Sequence, residues 1–314
     1  MITRTPDATV SAREVFGVDL DLKVPAFSEP DDHTPKADQA YCFDPEVTLA
    51  LLLGFAHNRR VLVHGRHGSG KSTHIEQIAA RLNWGCVRVN LDGHVGRLEL
   101  VGRDAVTLRS GKQVTEFREG ILPWAVQRPI ALVLDEYDAG RPDVMFVIQR
   151  LLEGEGRFTL LERNEVLQAH AGFRLFATAN TVGLGNRDGL YHGVQRVNHA
   201  QLDRWNLVAR LDYLPAEVEV GIVRGQVPAL DGPTAEAMVE LARLTRSGHE
   251  CGDLSTLMST RTVVTWAENT GLLADLGLAL RVTFTNKCPE FEQEIVDEYF
   301  QRCFGRAPEA RASA

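Results

Sequence analysis

The feature that most constrains this chain is a glycine-rich stretch between a predicted strand and a predicted helix. Residues 65–72 read GRHGSGKS and fit the phosphate-loop pattern G-x-x-x-x-G-K-[ST]. The run before it, residues 60–64, is mostly apolar and β-branched, and apolar residues recur at helical spacing from about Lys71 to Leu82. A glycine loop in this position lets backbone N–H groups and the positive end of the helix dipole surround an anion. The sequence therefore predicts a site for nucleotide phosphates, and a chance glycine turn is the weaker interpretation.

The side chains of this loop suit ATP with Mg²⁺. Lys71 is predicted to reach the β- and γ-phosphates and to take part in catalysis, and the Ser72 hydroxyl is predicted to hold Mg²⁺. We expect the nucleotide to be bound by the loop and the start of its helix, through Gly65, Arg66, His67, Gly68, Ser69, Gly70, Lys71, Ser72 and Thr73.

Composition excludes several classes of protein. The chain has 314 residues, 44% of them hydrophobic, which predicts about two globular domains. Acidic residues number 42 against 34 basic ones, a net charge of −8, so nucleic acid is not the expected main partner. No apolar run is long enough to span a membrane, and the first residues lack a secretory signal pattern. We therefore expect a cytoplasmic protein with neither a membrane nor a nucleic acid as partner.

The order of strands and helices predicts an α/β fold. Apolar strands separated by helices are typical of a parallel sheet covered on both faces, here with five strands. Besides the strand before the phosphate loop, strands are predicted at Val87–Asn90, Ile130–Leu134, Phe173–Thr178 and Leu207–Leu211. Hairpins are predicted near 101–117, around Ser110-Gly111, and near 157–168; helices are predicted at Phe43–His57 with Asp44 as cap, and from Pro142 to a stop at Gly154.

After Pro215 only helical patterns remain. Helices are predicted at Ala216–Gln226, Thr234–Arg246, Arg261–Thr270 and Pro289–Phe304, which indicates a smaller all-α domain. The predicted organisation is an extended N-terminal arm at 1–40 with a short element near Val10–Phe16, an α/β nucleotide-binding domain at 41–214, a helical domain at 215–306 and a disordered tail at 307–314.

Polar residues that end two of the predicted strands are the candidates for catalysis. Asp135 and Glu136 follow five apolar residues, at the sheet edge where α/β proteins bind ligands. Asp135 is predicted to ligate Mg²⁺, which supplies the cation that a buried carboxylate needs, and Glu136 to polarise the attacking water. Asn180 is predicted to contact the γ-phosphate and the water. A solvated strand end and an ordinary turn residue are the alternatives.

Several arginines could complete such a site. Arg204 immediately precedes the fifth strand, and an arginine can be supplied to the γ-phosphate bound by a neighbouring subunit. A surface ion pair with Asp203 or a nearby acid is the alternative. Arg261 begins a helix of the second domain and could reach the phosphates. Competing candidates for either role are Arg187, Arg196 and Arg210.

These motifs, in this order, resemble those of the AAA+ ATPases of the MoxR-like group. The phosphate loop is followed by Leu-Asp-Glu at 134–136, Thr-Ala-Asn at 178–180, Leu-Asp-Arg at 202–204 and a late arginine. By this resemblance Asn180 is the sensor-1 residue, Arg204 the arginine finger and Arg261 the sensor-2 residue. The two hairpins correspond to the helix-2 and pre-sensor inserts.

A closer resemblance, to the ATPase subunits of aerobic cobaltochelatase, covers nearly the whole chain. It is carried by residues 10–17, 54–60, 70–77, 135–150, 173–184 and 253–269, many of which ATP chemistry does not require. One departure is Thr260, where the family pattern has proline before Arg261. The resemblance weakens there, although threonine can also begin a helix.

The resemblance implies a motor that works with two other subunits. In that family the ATPase forms hexameric rings and acts with a CobT-type subunit, which carries a metal-ion-dependent adhesion-site domain, and with a CobN-type large tetrapyrrole-binding subunit. ATP hydrolysis by the complex drives the insertion of Co²⁺ into hydrogenobyrinic acid a,c-diamide during cobalamin biosynthesis. The alternative is a related MoxR-like chaperone that activates another metalloenzyme or assembly. A scaffold without hydrolysis is disfavoured because Lys71, Ser72, Asp135 and Glu136 are all present.

Overall fold

The computed structural model describes residues 4–109, 112–153, 157–182 and 197–308. The chain divides into two compact units. The first comprises the residues up to Gln39, Phe43–Arg66 and Gly70–Leu211, and the second comprises Ala40–Cys42, His67–Ser69 and the residues from Asp212 onward. Arg187 and Arg196, and all but the first two residues of the tail predicted to be disordered, lie outside the described residues.

The elements follow one another in the predicted alternation. The strands are β1 (Ala8–Ser11), β2 (Lys23–Ala26), β3 (Val61–His64), β4 (Gly85–Asn90), β5 (Gly102–Arg109), β6 (Lys112–Glu119), β7 (Ile130–Asp135), β8 (Arg157–Leu160), β9 (Glu165–Gln168), β10 (Arg174–Ala179) and β11 (Leu207–Arg210). The helices are α1 (Ala12–Phe16), α2 (Pro45–His57), α3 (Lys71–Arg81), α4 (Arg97–Leu100), α5 (Ile121–Val126), α6 (Pro142–Leu152), α7 (His199–Leu202), α8 (Ala216–Gln226), α9 (Gly232–Cys251), α10 (Thr260–Leu273), α11 (Leu276–Thr283) and α12 (Glu290–Phe304).

The predicted five-stranded parallel sheet is confirmed, with the strand order β11-β3-β10-β7-β4. Every residue of β7 and β10 is buried, as expected for strands covered on both faces. Alternate residues of these strands enter two hydrophobic clusters: Leu132 and Leu134 belong to one, and Ala131 and Val133 to the other. The parallel register places the carboxyl ends of the strands at one edge, where the polar residues that follow β3, β7 and β10 lie.

Both predicted inserts are antiparallel hairpins. Strands β5 and β6 pair along their whole lengths, and β8 pairs with β9 in the same way. The predicted turn at Ser110-Gly111 lies outside the described residues. Val106 and Leu108 on β5 are 66% and 74% exposed, so the long hairpin presents apolar side chains to solvent.

The N-terminal segment contains the short element predicted near Val10–Phe16, as helix α1, but the residues around it form a hairpin and not only an extended arm. Strands β1 and β2 form a hairpin, and α1 lies between them with Ser11 as its N-cap. Ala12 and Val24 are fully buried and belong to the cluster on one face of the central sheet. The few apolar residues of this polar segment are spaced so that one face packs on the sheet, and the segment is therefore part of the first unit.

The second unit contains the predicted helices together with α11, which was not predicted. Its core is built around Met238, Trp266 and Phe300, all buried. Helix α9 is longer than the predicted Thr234–Arg246, because Asp231 caps its start and the left-handed Gly252 (φ 83°) ends it. In the first unit, α6 ends at Leu152, earlier than the predicted stop. Among the described residues, no helix combines the length and apolarity required for crossing a lipid bilayer.

Candidate nucleotide-binding site

The phosphate loop leaves the start of α3 available to an anion. Helix α3 begins at Lys71, and its N-cap, Gly70, has φ 90° and no side chain with which to cap the helix. The N–H groups of the first turn therefore point into the loop without a capping side chain. The Ser69 Oγ is buried in the same loop and has no hydrogen-bond partner within the part of the chain that the structure describes. Both observations fit a loop built to hold phosphate oxygens.

Lys71 and Asn180 are brought together, as the sequence predicts for residues that share the γ-phosphate. The Lys71 Nζ donates to the carbonyl oxygens of Gly65 (2.8 Å) and Arg66 (2.9 Å) and to the Asn180 Oδ1 (3.0 Å). Burial lowers the pKa of Lys71 to about 8, although the charges of Asp138, Asp135 and Glu136 act in the opposite direction. A phosphate beside this ammonium group would restore the charged form.

The two predicted metal ligands also lie side by side. Asp135 is 5% exposed, and its Oδ1 accepts hydrogen bonds from the Ser72 Oγ (2.6 Å) and the Thr178 Oγ1 (2.7 Å). Carboxylate and hydroxyl oxygens are the ligands that Mg²⁺ prefers in phosphate sites. Ser72 and Asp135 could therefore hold Mg²⁺ next to the loop. Thr178 was not predicted to take part. It lies on β10 two residues before Asn180, a spacing that directs both side chains to the same side of the strand.

Arg88 also contacts Asp135 and was not predicted from the sequence. Its Nε donates to the Asp135 Oδ2 at 2.6 Å, and its Nη1 lies 3.3 Å from the Glu76 Oε1. Burial alone would lower the pKa of Arg88, but the hydrogen bond and the charges of Asp135 and Glu76 outweigh it and raise the pKa above its usual value. The available signal was a charged residue between the apolar residues Val87 and Val89 of a predicted strand, which is the edge strand β4 of the sheet.

Glu136 has an uncommon backbone conformation. Its φ of 55° and ψ of 44° lie in the left-handed region, which costs free energy for a residue with a side chain. Its backbone N–H donates to the Thr178 Oγ1 at 3.3 Å. Such strain is concentrated at functional sites, where the surrounding structure fixes the conformation. Glu136 is half-buried and directly follows Asp135 at the sheet edge, so its conformation fits a role in the same site.

Asp138 holds the end of β10 in place and, like Thr178 and Arg88, was not predicted from the sequence. This aspartate is 1% exposed. Its Oδ2 accepts hydrogen bonds from the backbone N–H groups of Asn180 (3.1 Å) and Thr181 (2.8 Å) and from the Thr181 Oγ1 (2.9 Å). Asn180 is therefore fixed by Asp138 through its backbone and contacts Lys71 through its side chain.

The predicted arginines lie in different surroundings. Arg204 donates a hydrogen bond to the Ala200 carbonyl, and its Nε lies 3.7 Å from a Glu153 carboxylate oxygen, so it forms the kind of surface ion pair that was considered as an alternative. Arg210 is exposed at the end of β11. Arg261 is exposed and is the second residue of α10, whose first residue is Thr260. Threonine thus begins this helix in place of the family's proline.

The tip of the phosphate loop contacts the residues that precede Arg261 within the second unit. Gly68 has φ 73°, and a Cβ atom added there would lie 2.4 Å from the Ser259 Cβ. Ser259 is the N-cap of α10 and accepts a hydrogen bond from the Thr262 backbone N–H. The Tyr213 hydroxyl donates to the His67 carbonyl oxygen at 2.7 Å. A side chain at position 68 would therefore collide with the start of the helix that carries Arg261.

Comparison with known proteins gives two matches to family descriptions. Residues 1–33 match the family described as cobaltochelatase CobS subunit N terminal. Residues 60–197 match the family described as AAA domain, dynein-related subfamily. Together with the parallel sheet and the phosphate loop, the second match confirms the predicted AAA+ fold and indicates nucleotide binding.

Three relatives span different parts of this chain. The aerobic cobaltochelatase subunit CobS of a Sinorhizobium species is 60% identical over 308 residues, which cover 97% of this chain and 93% of the relative. The denitrification regulatory protein NirQ of Stutzerimonas stutzeri is 27% identical over 66% of this chain and 70% of its own. Midasin of Dictyostelium discoideum is 32% identical over 50% of this chain but only 2% of its own length. Because the similarity to the Sinorhizobium protein extends over nearly the full length of both, this chain belongs to the family of the aerobic cobaltochelatase subunit CobS.

Proposed function

We propose that this chain is the ATP-hydrolysing motor subunit of an aerobic cobaltochelatase, a ligase that forms nitrogen–metal bonds. In this proposal, hydrolysis drives the insertion of Co²⁺ into hydrogenobyrinic acid a,c-diamide during cobalamin biosynthesis. The observation that carries the proposal is the 60% identity to CobS over 97% of the chain. That similarity includes the N-terminal segment, which lies outside the AAA domain match and which nucleotide chemistry alone does not require.

In the proposed mechanism, the phosphate loop and α3 bind ATP. Lys71 leaves the carbonyl oxygens of Gly65 and Arg66 and pairs with the β- and γ-phosphates. The N–H groups at the start of α3 and the loop residues up to Thr73 contact the phosphate oxygens. Ser72 and Asp135 hold Mg²⁺, which neutralises the phosphate charge when it is bound. The 2.6 Å hydrogen bond between these two side chains supports their joint role.

Glu136 and Asn180 act on the attacking water. Glu136 accepts a hydrogen bond from the water and so raises its nucleophilicity. Asn180 positions the water against the γ-phosphate and distinguishes ATP from ADP. The contact of its Oδ1 with the Lys71 Nζ supports this role, because it places the amide beside the group that binds the γ-phosphate, where the Oδ1 can accept from the water and the Nδ2 can donate to the phosphate.

Two arginines complete the proposed site. Arg204 acts in trans on the γ-phosphate bound by a neighbouring subunit, and its 30% exposed side chain supports a role at a subunit boundary. Arg261 senses the nucleotide from the start of α10. The close approach of Gly68 to the N-cap of that helix supports this assignment.

The proposal extends to assembly and organisation. The chain forms a hexameric ring in the cytoplasm and acts with a CobT-type subunit and a CobN-type large tetrapyrrole-binding subunit. Its functional parts are the N-terminal segment 1–40, the nucleotide-binding domain 41–214, the helical lid 215–306 and the tail 307–314. Membership of the MoxR-like group is part of the same proposal.

A second candidate function is that of a MoxR-like chaperone that activates another metalloenzyme or assembly. The 27% identity to NirQ, named a denitrification regulatory protein, is the observation that favours it. The much higher identity to CobS favours the cobaltochelatase proposal. Purification of the chain from its native cells separates the two, because only the first predicts that a large tetrapyrrole-binding subunit is isolated with it.

The direct test is reconstitution. Purified CobT-type and CobN-type subunits are mixed with hydrogenobyrinic acid a,c-diamide, Co²⁺ and Mg²⁺–ATP, with and without this chain, and cobalt insertion is followed by the absorption change of the tetrapyrrole. We expect insertion only when the chain is present. Equal insertion in its absence, or no insertion in its presence when a CobS subunit restores activity to the same mixture, would refute the proposal.

A further inference from the structure

The Asp135 carboxylate has a cationic partner of its own. Its Oδ1 accepts the two hydroxyl hydrogen bonds from Ser72 and Thr178, while its Oδ2 accepts the Nε–H of Arg88 at 2.6 Å. The Asp135 side chain is 7% exposed, so without a cation its charge would be costly to bury. Arg88 therefore provides, in the absence of metal, the charge compensation that Mg²⁺ would otherwise supply.

Arg88 also has a second acceptor within reach. Its Nη1 lies 3.3 and 3.4 Å from the two carboxylate oxygens of Glu76, which is one helical turn beyond Ser72 on α3. These distances exceed the about 2.7–2.9 Å of strong charge-assisted hydrogen bonds. The guanidinium is therefore held tightly by Asp135 and loosely by Glu76. A side-chain rotation toward Glu76 would free the Asp135 Oδ2 without leaving Arg88 unpaired.

We propose that Arg88 is a built-in counter-cation that competes with Mg²⁺ for Asp135 and is transferred to Glu76 when the metal–nucleotide complex binds. A guanidinium and a divalent cation repel each other when they share one carboxylate, so each contact of Arg88 with Asp135 weakens metal binding. Arg88 is thus a positioning residue that sets the metal concentration at which the site is filled. This inference rests on the proposed binding of Mg²⁺ by Ser72 and Asp135.

The test measures metal affinity rather than turnover. Mn²⁺ replaces Mg²⁺ as the probe, the protein is saturated with a non-hydrolysable ATP analogue, and free Mn²⁺ is counted by electron paramagnetic resonance. Arg88→Gln should bind Mn²⁺ about tenfold more tightly, because its competitor is removed. Glu76→Gln should bind it several-fold more weakly, because the neutral amide oxygen left at position 76 attracts Arg88 less than a carboxylate does. The melting temperature of Arg88→Gln without metal and nucleotide should fall.

The matched control is Arg97→Gln. Arg97 pairs with Glu162 at 2.8 Å, and the side chains of this pair are 44% and 29% exposed, against 44% and 28% for Arg88 and Glu76. Its Mn²⁺ affinity should stay within twofold of the parent. Glu76→Gln keeps the inference testable even if Arg88→Gln does not fold, since it leaves the contact between Arg88 and Asp135 intact.

The outcomes separate this inference from the proposed function. Unchanged or weaker Mn²⁺ binding by a folded Arg88→Gln, or unchanged or tighter binding by Glu76→Gln, overturns the role of Arg88 and leaves the metal site intact. No Mn²⁺ binding by the parent protein with the bound analogue overturns the metal site itself, and the inference with it.

Discussion

The Asp138→Asn substitution tests whether the position of Asn180 depends on a buried carboxylate. Asp138 is 1% exposed, and one of its oxygens accepts three hydrogen bonds from Asn180 and Thr181. An asparagine of the same shape can keep neutral bonds of about 1 kcal/mol each, but it loses the charge that makes such bonds worth about 1.5–3 kcal/mol. The loss is about 0.5–2 kcal/mol per bond, so over three bonds the free energy of unfolding should fall by about 1.5–6 kcal/mol.

The same substitution should slow ATP hydrolysis. Asn180 would lose its backbone anchor, and Lys71 would lose the largest of the charges that favour its protonated form. We expect a rate at least about tenfold lower, equivalent to about 1.4 kcal/mol in the barrier. Urea unfolding and phosphate release measure the two effects on one preparation.

The matched control for this substitution is Asp143→Asn. Asp143 is 55% exposed and pairs with Arg141 at the surface. Its replacement by asparagine should therefore change the free energy of unfolding by less than about 1 kcal/mol. An Asp138→Asn protein with the stability and ATPase rate of the parent would refute the argument that the buried carboxylate positions Asn180.

Three further predictions concern charge, assembly and the long hairpin. Because the pKa of Lys71 is lowered to about 8, Lys71 loses its proton above that pH, and ATP affinity should fall as the pH rises through about 8. Above this pH the unfolded protein still holds the Lys71 proton that the folded protein has lost, so the free energy of unfolding of the ligand-free protein should rise with pH. Calorimetric titrations with Lys71→Met as reference check this, and a parent affinity independent of pH up to 10 would contradict it. Arg204→Ala protein mixed with Lys71→Ala protein should partly recover ATPase activity if subunits exchange, whereas normal activity of Arg204→Ala alone would remove Arg204 from the mechanism. Deletion of residues 110–112 should spare basal ATPase activity more than cobalt insertion, because the exposed Val106 and Leu108 make the β5–β6 hairpin a candidate contact with a partner subunit. Unchanged cobalt insertion would show that this hairpin does not couple ATP hydrolysis to insertion, and equal loss of ATPase activity and insertion would indicate damage to the ring.

Patterns that repeat along the chain made most of the fold predictable. The apolar run 130–134 could only be a buried strand, and the acids that follow it had to lie at the sheet edge. The same reasoning placed Asn180 after β10, where its Oδ1 accepts a hydrogen bond from Lys71. Capping residues also fixed helix starts, as Asp44 does for α2.

The remaining features depend on contacts that are distant in sequence. Arg88 reaches Asp135 because β4 pairs with β7 in a register that aligns Asn90 with Asp135, and no local pattern fixes that register. Asp138 follows β7 but accepts hydrogen bonds from Asn180 and Thr181, which follow β10. The burial of Ala12 likewise required knowledge of the sheet face that α1 covers. Short polar or apolar segments whose partners lie elsewhere in the chain are the parts that the sequence could not predict.

The central claim is that hydrolysis at this site drives cobalt insertion, and Glu136→Gln tests it most directly. The variant is combined with the CobT-type and CobN-type subunits, and ATP binding, phosphate release and cobalt insertion are measured on the same complex. Because Lys71, Ser72 and Asp135 remain in place, ATP should bind as in the parent, while hydrolysis and insertion should fall together by about 100-fold or more. Cobalt insertion at the parent rate while hydrolysis is lost would contradict the account, whereas an unchanged rate of hydrolysis would remove Glu136 from the mechanism.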